Sequence, residues 1–160
     1  MVTLWYRAPE LLLGCRHYSS AVDIWAVGCI FGELLTLKPL FQGKECGNIH
    51  LEQLKKIFSV LGTPADNDLM CFPHFELVSD WKFFNTSLPS GISSSGQDLL
   101  LKLLCYSPLK RITAREALKH PFFLEEPQPN SKLFFSLLFC IFAEYGFPQQ
   151  QLPDFLRGIS

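Results

Sequence analysis

The pattern of apolar and polar residues predicts helices, and the most apolar stretch is residues 21–35. Eleven of these fifteen residues are apolar, two are glycine, and only Asp23 and Glu33 carry charge. The apolar residues are spread around the whole helical circumference, which is typical of a helix at the centre of a core or of a membrane span. Because a membrane span needs about 20 residues, we expect a helix buried in the core.

A second helix is predicted over residues 51–61. Apolar residues recur there at helical spacing, and polar residues such as Gln53 lie between them, which is typical of an amphipathic surface helix. Gly62 is expected to end this helix. Residues 65–95 show no sustained period and are expected to be irregular, which is unusual for so long a connection in a compact domain.

Two further helices are predicted toward the end of the regular pattern. Residues 97–106 form one of them. Thr113 and Glu116 have the spacing of a capping box, in which a hydroxyl and a carboxylate three residues apart satisfy backbone N–H groups. The capping box opens a short helix that stops before Pro121. No strand is predicted, so we expect a mainly α fold.

Composition and charge narrow the class of protein. With 160 residues, 48% of them apolar and 18% charged, the chain is expected to be globular rather than disordered. The net charge of −1 gives no argument for binding nucleic acid or a charged membrane surface. We therefore predict neither nucleic acid nor membrane as a partner.

The cysteines do not suggest a metal or disulfide site. No two of the six are closer than fourteen residues, and no CxxC pair or Cys/His cluster occurs. A secreted disulfide scaffold would be smaller and denser in cysteine. We predict no metal site and expect reduced thiols in an intracellular protein of the nucleus or cytoplasm.

The end of the chain changes character. Residues 1–127 are predicted to form one domain, and residues 128–160 an atypical tail that is poorly packed or partly disordered. The tail mixes a Phe/Leu run, a glutamine tract and isolated prolines. Its apolar segment, residues 133–145, is too short to span a bilayer. Association of this segment with a membrane is a third and weaker functional hypothesis.

Four separated motifs share an order and spacing that resemble one protein family. They are Trp5-Tyr6-Arg7-Ala8-Pro9-Glu10, the DIWAVGC run at residues 23–29, LFQG at 40–43 followed by LGTP at 61–64, and YSPLKRITA through HPFF at 106–123. Together they resemble the helical C-terminal lobe of cyclin-dependent kinases and their relatives, from the end of the activation segment onward. The resemblance covers about residues 2–127 and implies a truncated protein-kinase-like fold without the N-terminal β lobe.

The resemblance implies a substrate-binding pocket at the start of the chain. It accepts the residue that follows the phosphorylated Ser or Thr, and it corresponds to Val2, Thr3, Leu4, Trp5 and Arg7. In this family the pocket favours proline, whose ring is apolar and which has no N–H to satisfy. Met1 stands where the family usually has valine. The alternative is that Trp5 and Tyr6 are only core aromatics.

The resemblance also implies two structural roles. Glu10 and Arg111, which are 101 residues apart in sequence, match an ion pair that ties the activation segment to the last helices; the alternative is two unrelated surface charges. Asp23 matches an aspartate that holds the backbone of the catalytic loop. An unpaired charge inside an apolar helix is costly, so Asp23 is expected to need partners, unless it lies exposed in the first turn, where the helix dipole favours it.

Catalytic residues are not found. Kinase catalysis uses a glycine-rich loop, a strand lysine, a catalytic-loop aspartate with its asparagine, and a metal-binding aspartate. The chain has no GxGxxG, His-Arg-Asp or Asp-Phe-Gly motif. We therefore expect that it binds neither ATP nor magnesium, which the complete family member needs, and that it has no activity by itself. A truncated gene model, a splice form or a duplicated fragment of a kinase would explain this pattern.

Two main functional hypotheses follow. In the first, the chain is part of a cyclin-dependent-kinase-like Ser/Thr kinase that transfers the ATP γ-phosphoryl group to Ser or Thr before proline. Its partners would be protein substrates and a cyclin or other regulatory protein. In the alternative, the lobe is a non-catalytic interaction module that displays residues 51–61 and 65–95 to partner proteins.

Overall fold

The part of the chain that the computed structural model describes is helical and comprises residues 4–44, 46–64, 72–74, 76, 78 and 93–125. Its α-helices are α1 (Pro9–Leu12), α2 (Ala21–Thr36), α3 (Ile49–Leu61), α4 (Ser94–Leu103) and α5 (Ala114–Ala117). Short 3-10 helices lie at Leu4–Tyr6 and Pro121–Leu124. These described residues contain no strand, so the predicted mainly α class is confirmed.

Local signals account for most helix ends. The side chain of Asn48 accepts the N–H of Leu51 at 3.3 Å at the start of α3, and Gly62 ends this helix with a φ of 85°. The helix predicted at residues 97–106 begins earlier, because Ser93 caps Ser94–Leu103 by accepting the N–H of Gly96. With this cap, α4 begins three residues before its predicted start.

The predicted capping box of α5 is confirmed. Thr113 Oγ1 accepts the N–H of Glu116 at 3.3 Å, and Glu116 Oε2 accepts the N–H of Thr113 at 2.9 Å. The hydrogen bonds from Thr113 lower the pKa of the Glu116 carboxyl. Two of the N–H groups that a helix start leaves without partners are thus satisfied.

The prediction that α2 is buried on all sides was wrong. One face is buried and carries Trp25, Gly28, Cys29 and Gly32. The opposite face, here called the open face of α2, consists of Val27, Ile30 and Leu34, which are 50%, 51% and 70% exposed. Apolar residues all around a helix allow any of its faces to be buried. They do not show that other segments cover every face.

Two glycines let side chains approach α2 closely. A Cβ atom at Gly28 would lie 2.7 Å from Leu104 Cδ2, and one at Gly32 would lie 2.6 Å from Leu40 Cδ2. Both distances are well inside van der Waals contact, so alanine at either site would force its neighbour to move. The glycines thus seat two leucines of the core against the helix.

The core is built around Trp25. Its ring stacks on Phe41 with 5.8 Å between centroids, and Phe58 meets Tyr106 edge-on at 5.6 Å. The hydroxyl of Tyr106 donates to the carbonyl of Gly62 at 2.6 Å, and burial raises the pKa of Tyr106. Leucines and isoleucine from α1, α3 and α4 fill the remaining space, namely Leu12, Leu54, Ile57 and Leu100.

Contacts divide the chain into residues 1–122 and residues 123–160, and this core belongs to the first unit. The predicted tail at residues 128–160 and its apolar segment at 133–145 lie outside the described residues, so the boundary after residue 127 stays a prediction. Among the helices that are described, none combines the length and the apolar character needed to cross a membrane.

Candidate functional site

The structure brings Glu10 and Arg111 together. Arg111 Nη1 lies 2.8 Å from Glu10 Oε1, and Arg111 Nη2 lies 3.0 Å from Glu10 Oε2. The two residues are 2% and 5% exposed. Two parallel N–H···O bonds between planar groups give such a pair both strength and a fixed orientation.

Every N–H of the Arg111 guanidinium has an acceptor. Besides the carboxylate, Nε donates to the carbonyl of Cys105 at 2.9 Å, Nη1 to that of Ala21 at 2.7 Å, and Nη2 to that of Tyr106 at 3.3 Å. The guanidinium carbon also lies 5.1 Å from the centre of the Trp25 ring, within the range of a cation–π contact. Full pairing offsets the cost of burying the charge.

This cluster fixes the segment that precedes Glu10. Glu10 lies in the first turn of α1, whose first residue is Pro9. Proline suits this position because its fixed φ matches the helix and its missing N–H would have had no partner there. The ion pair therefore holds α1 against the start of α2 and the residues before α5. Because α1 is held, the residues that directly precede it are also restrained.

Three residues of the predicted substrate pocket, Leu4, Trp5 and Arg7, lie in residues 4–9, here called the pocket segment. Leu4 and Trp5 are half-buried in the 3-10 helix Leu4–Tyr6, and the N–H of Arg7 donates to the carbonyl of Leu4 at 3.0 Å. Leu4 and Tyr6 pack against the core, yet each stays partly exposed. The other two pocket residues, Val2 and Thr3, lie outside the described residues.

Tyr6 links the pocket segment to α2. Its hydroxyl donates to Glu33 Oε2 at 2.6 Å. This hydrogen bond, together with burial and the carboxylate charge, raises the pKa of Tyr6 from 10.0 to about 12. This pair could not be predicted from local patterns, because the tyrosine and the glutamate are 27 residues apart in the sequence.

Gln53 forms a second link between distant segments, and its buried position was not predicted from the apolar pattern. It was expected on the polar side of an amphipathic helix, but it is 1% exposed. Its Nε2 donates to the carbonyl of Phe41 at 2.8 Å and to that of Trp5 at 3.4 Å. Its spacing of four residues from Ile57 and seven from Val60, both buried, was the available signal for the buried face.

Asp23 lies in the first turn of α2 and is exposed. The expectation that its charge is buried in an apolar helix and needs partners was wrong, because the first turn projects into solvent. Its carboxylate instead lies where the positive end of the helix dipole favours negative charge. Its role in holding a catalytic loop stays a prediction.

Among the described residues, no group of three His, Cys, Asp or Glu side chains could hold a metal ion. The sequence has no glycine-rich GxGxxG loop to cradle phosphates.

Comparison with known proteins gives consistent matches. The protein kinase domain family matches residues 1–123. Serine/threonine-protein kinase SSN3 of Yarrowia lipolytica is 43% identical over 168 residues, which cover 95% of this chain and 40% of that protein. Cyclin-dependent kinase E-1 of Arabidopsis thaliana is 48% identical, covering 84% of this chain and 32% of that protein.

A third relative, probable cyclin-dependent kinase 8 of Dictyostelium discoideum, is 48% identical over 84% of this chain and 38% of that protein. The chain thus spans well under half the length of these three relatives. The family match nevertheless includes α1 to α5 and both partners of the Glu10–Arg111 pair. The chain belongs to the protein kinase family and, within it, to the cyclin-dependent-kinase-like Ser/Thr kinases.

Proposed function

We propose that this chain is the substrate-docking part of a cyclin-dependent-kinase-like Ser/Thr kinase. The complete enzyme would transfer the γ-phosphoryl group of ATP to Ser or Thr, with proline as the next residue of the substrate. The Glu10–Arg111 ion pair is the observation that carries this proposal. It fixes the end of the pocket segment to the helical core by a buried, fully hydrogen-bonded contact.

Geometry at the pocket supports a preference for proline. Leu4 and Trp5 present partly exposed apolar surface in a short helix that three links hold: the ion pair, the Tyr6 hydroxyl and the Gln53 amide. An apolar ring without an N–H fits such a surface, because no donor of the substrate is left without a partner. A rigid pocket also favours selective binding, because less conformational entropy is lost when the substrate binds.

The 160 residues by themselves should not transfer phosphate. Positioning of the phosphates and stabilisation of their charge supply nearly all of the catalysis in this reaction, and the sequence has none of the motifs that do so. ATP and magnesium would be cofactors of the complete enzyme. A cyclin or other regulatory protein as partner, and a place in the nucleus or cytoplasm, belong to the same proposal.

Two assays test the proposal. Binding of fluorescent peptides that differ only in Ser-Pro against Ser-Ala should favour the proline peptide. Trp5→Ala should abolish the preference, whereas Leu109→Ser, at a residue that is 97% exposed, should preserve it. Incubation with radiolabelled ATP should give no phosphopeptide. Equal binding of both peptides would refute the docking role, and turnover would refute the lack of activity.

A non-catalytic interaction module is the second candidate. The open face of α2, formed by Val27, Ile30 and Leu34, is the observation that favours it, because contiguous exposed apolar residues mark interfaces. In this case a defined partner protein should bind the chain with no preference for proline peptides. Ile30→Gln would then weaken partner binding, whereas Trp5→Ala would leave it unchanged.

A further inference from the structure

A buried side-chain amide joins α3 to the proposed substrate pocket. Gln53 lies in the second turn of α3, and the nitrogen of its side-chain amide lies within hydrogen-bonding distance of two main-chain carbonyls. One acceptor is Phe41, at 2.8 Å, and the other is Trp5, at 3.4 Å and 48 residues earlier in the chain. The amide thus holds two separate segments, the pocket helix Leu4–Tyr6 and the loop after α2, at one point.

The loop after α2 is shaped to admit this amide. A Cβ atom at Gly43 would lie 2.5 Å from Gln53 Oε1 and 3.1 Å from Gln53 Cα. Any larger residue at position 43 would therefore displace the glutamine side chain or the loop. Glycine at position 43 lets the loop approach the Gln53 side chain closely. This close contact restricts the amide to its two acceptors.

Gln53 is a polar residue at a buried position of α3. Gln53 lies on the same face of α3 as Ile57 and Val60, where an apolar residue would bury surface without requiring hydrogen bonds. A buried amide is tolerated only when its groups are paired, and it binds its partners in one geometry. We infer that Gln53 is a positioning residue, which holds the pocket helix Leu4–Tyr6 in place through the carbonyl of Trp5.

This inference rests on the proposed docking function and adds a residue outside the pocket that controls selectivity. The carbonyl of Trp5 belongs to the 3-10 helix Leu4–Tyr6, so its hydrogen bond to Gln53 holds the backbone that carries the Leu4 and Trp5 side chains. If the amide is lost, this helix loses one of its links to α3, and the Leu4 and Trp5 side chains are held less firmly. Selectivity for proline over alanine should then fall, even where the chain remains folded.

The test uses three variants of the full chain. Gln53→Met keeps the shape of the side chain and removes both donors. Gly43→Ala keeps the donors and displaces the amide from the other side. Val60→Ala, two turns along the same buried face, destabilises the core without touching the amide and is the matched control. Each variant is compared with the wild type for the ratio of affinities toward Ser-Pro and Ser-Ala peptides.

We expect this ratio to fall about threefold to tenfold in Gln53→Met, which is the factor that corresponds to the free energy of one ordinary hydrogen bond. Gly43→Ala should lower the ratio in the same direction. Val60→Ala should weaken both peptides alike and keep the ratio. In the wild type, the carbon-13 NMR shift of the Trp5 carbonyl should report the hydrogen bond, and it should move in Gln53→Met but not in Val60→Ala.

The outcomes separate the two proposals. A wild-type chain with no preference for proline refutes the docking function and this inference with it. A preference that survives in both Gln53→Met and Gly43→Ala refutes the inference alone. An unchanged Trp5 carbonyl shift in Gln53→Met also overturns it, because the amide would then not be bonded to that carbonyl, and this readout does not depend on peptide binding.

Discussion

The carboxylate of Glu10 and the guanidinium of Arg111 form a bidentate ion pair between residues 101 positions apart, with N···O distances of 2.8 and 3.0 Å. The pair lies beside the Trp25 ring, and the remaining N–H groups of Arg111 bind three carbonyls from the start of α2 and the loop before α5. One side chain thereby holds α1, the start of α2 and the loop before α5. Its removal should affect the whole unit.

Arg111→Met should lower the free energy of unfolding by about 3–5 kcal/mol, because it leaves a buried carboxylate without its partner. Arg111→Lys keeps the charge but should recover only part of this loss, since one ammonium cannot replace a planar fork with five donors. Urea unfolding measures both. Arg115→Met, at an exposed position of α5, is the control and should change stability by less than about 0.5 kcal/mol.

A double variant sharpens this prediction. Glu10→Gln combined with Arg111→Met removes both charges, so it should cost less than the sum of the two single changes. Equal stability of Arg111→Met and wild type would contradict a structural role for the pair. Strictly additive losses would show that the two groups do not interact.

Tyr6→Phe should lower the free energy of unfolding by about 1 kcal/mol at neutral pH, because it removes the hydrogen bond to Glu33. The pKa of Tyr6 is raised from 10.0 to about 12, so the bond stabilises the folded state fully below pH 10. This contribution is lost as the pH rises through about 12.

The difference in stability between wild type and Tyr6→Phe should therefore be constant below pH 10 and shrink between pH 10 and about 12. Other tyrosines, including Tyr106, titrate in both proteins and cancel in this comparison. Urea unfolding at a series of alkaline pH values measures the difference. A difference that does not change over that range would contradict the assigned hydrogen bond.

The features that could be predicted from the sequence are those that depend on residues close together in the chain, such as the capping box of α5 and the end of α3. Thr113 and Glu116 lie three residues apart, and Gly62 directly follows the last turn of α3, so their contributions depend on neighbours in the chain. The residue that caps the end of α2 is Leu37, which takes a φ of 56° that leucine rarely adopts. Nothing in its residue type indicates that conformation.

Contacts between distant segments could not be derived from the pattern. Glu10 and Arg111 were matched through a family resemblance, not through spacing. The buried position of Gln53 was missed because its polar side chain was assigned to solvent, whereas two main-chain carbonyls satisfy it. The exposure of Ile30 was missed because periodicity shows which residues are apolar, not which side of a helix another segment covers.

Cys29 should react far more slowly with a thiol reagent than Cys46. Cys29 is buried on α2, and burial raises its pKa from 9.0 to about 12, whereas Cys46 is exposed. The thiolate is the reactive species, so at neutral pH the rates should differ by at least about a hundredfold. Alkylation followed by peptide mass mapping measures each site. In denaturant the two rates should converge, and equal rates in the folded chain would contradict the buried face of α2.

The open face of α2 should cause the chain to associate with itself. Val27, Ile30 and Leu34 expose apolar surface side by side, and burial of such surface between molecules is favourable. Ile30→Gln with Leu34→Gln should lower the sedimentation coefficient at high concentration while changing the free energy of unfolding by less than about 1 kcal/mol. Leu54→Gln, at a fully buried position of α3, is the contrasting variant and should unfold the chain. Self-association that is unchanged in the double variant would show that another surface is responsible.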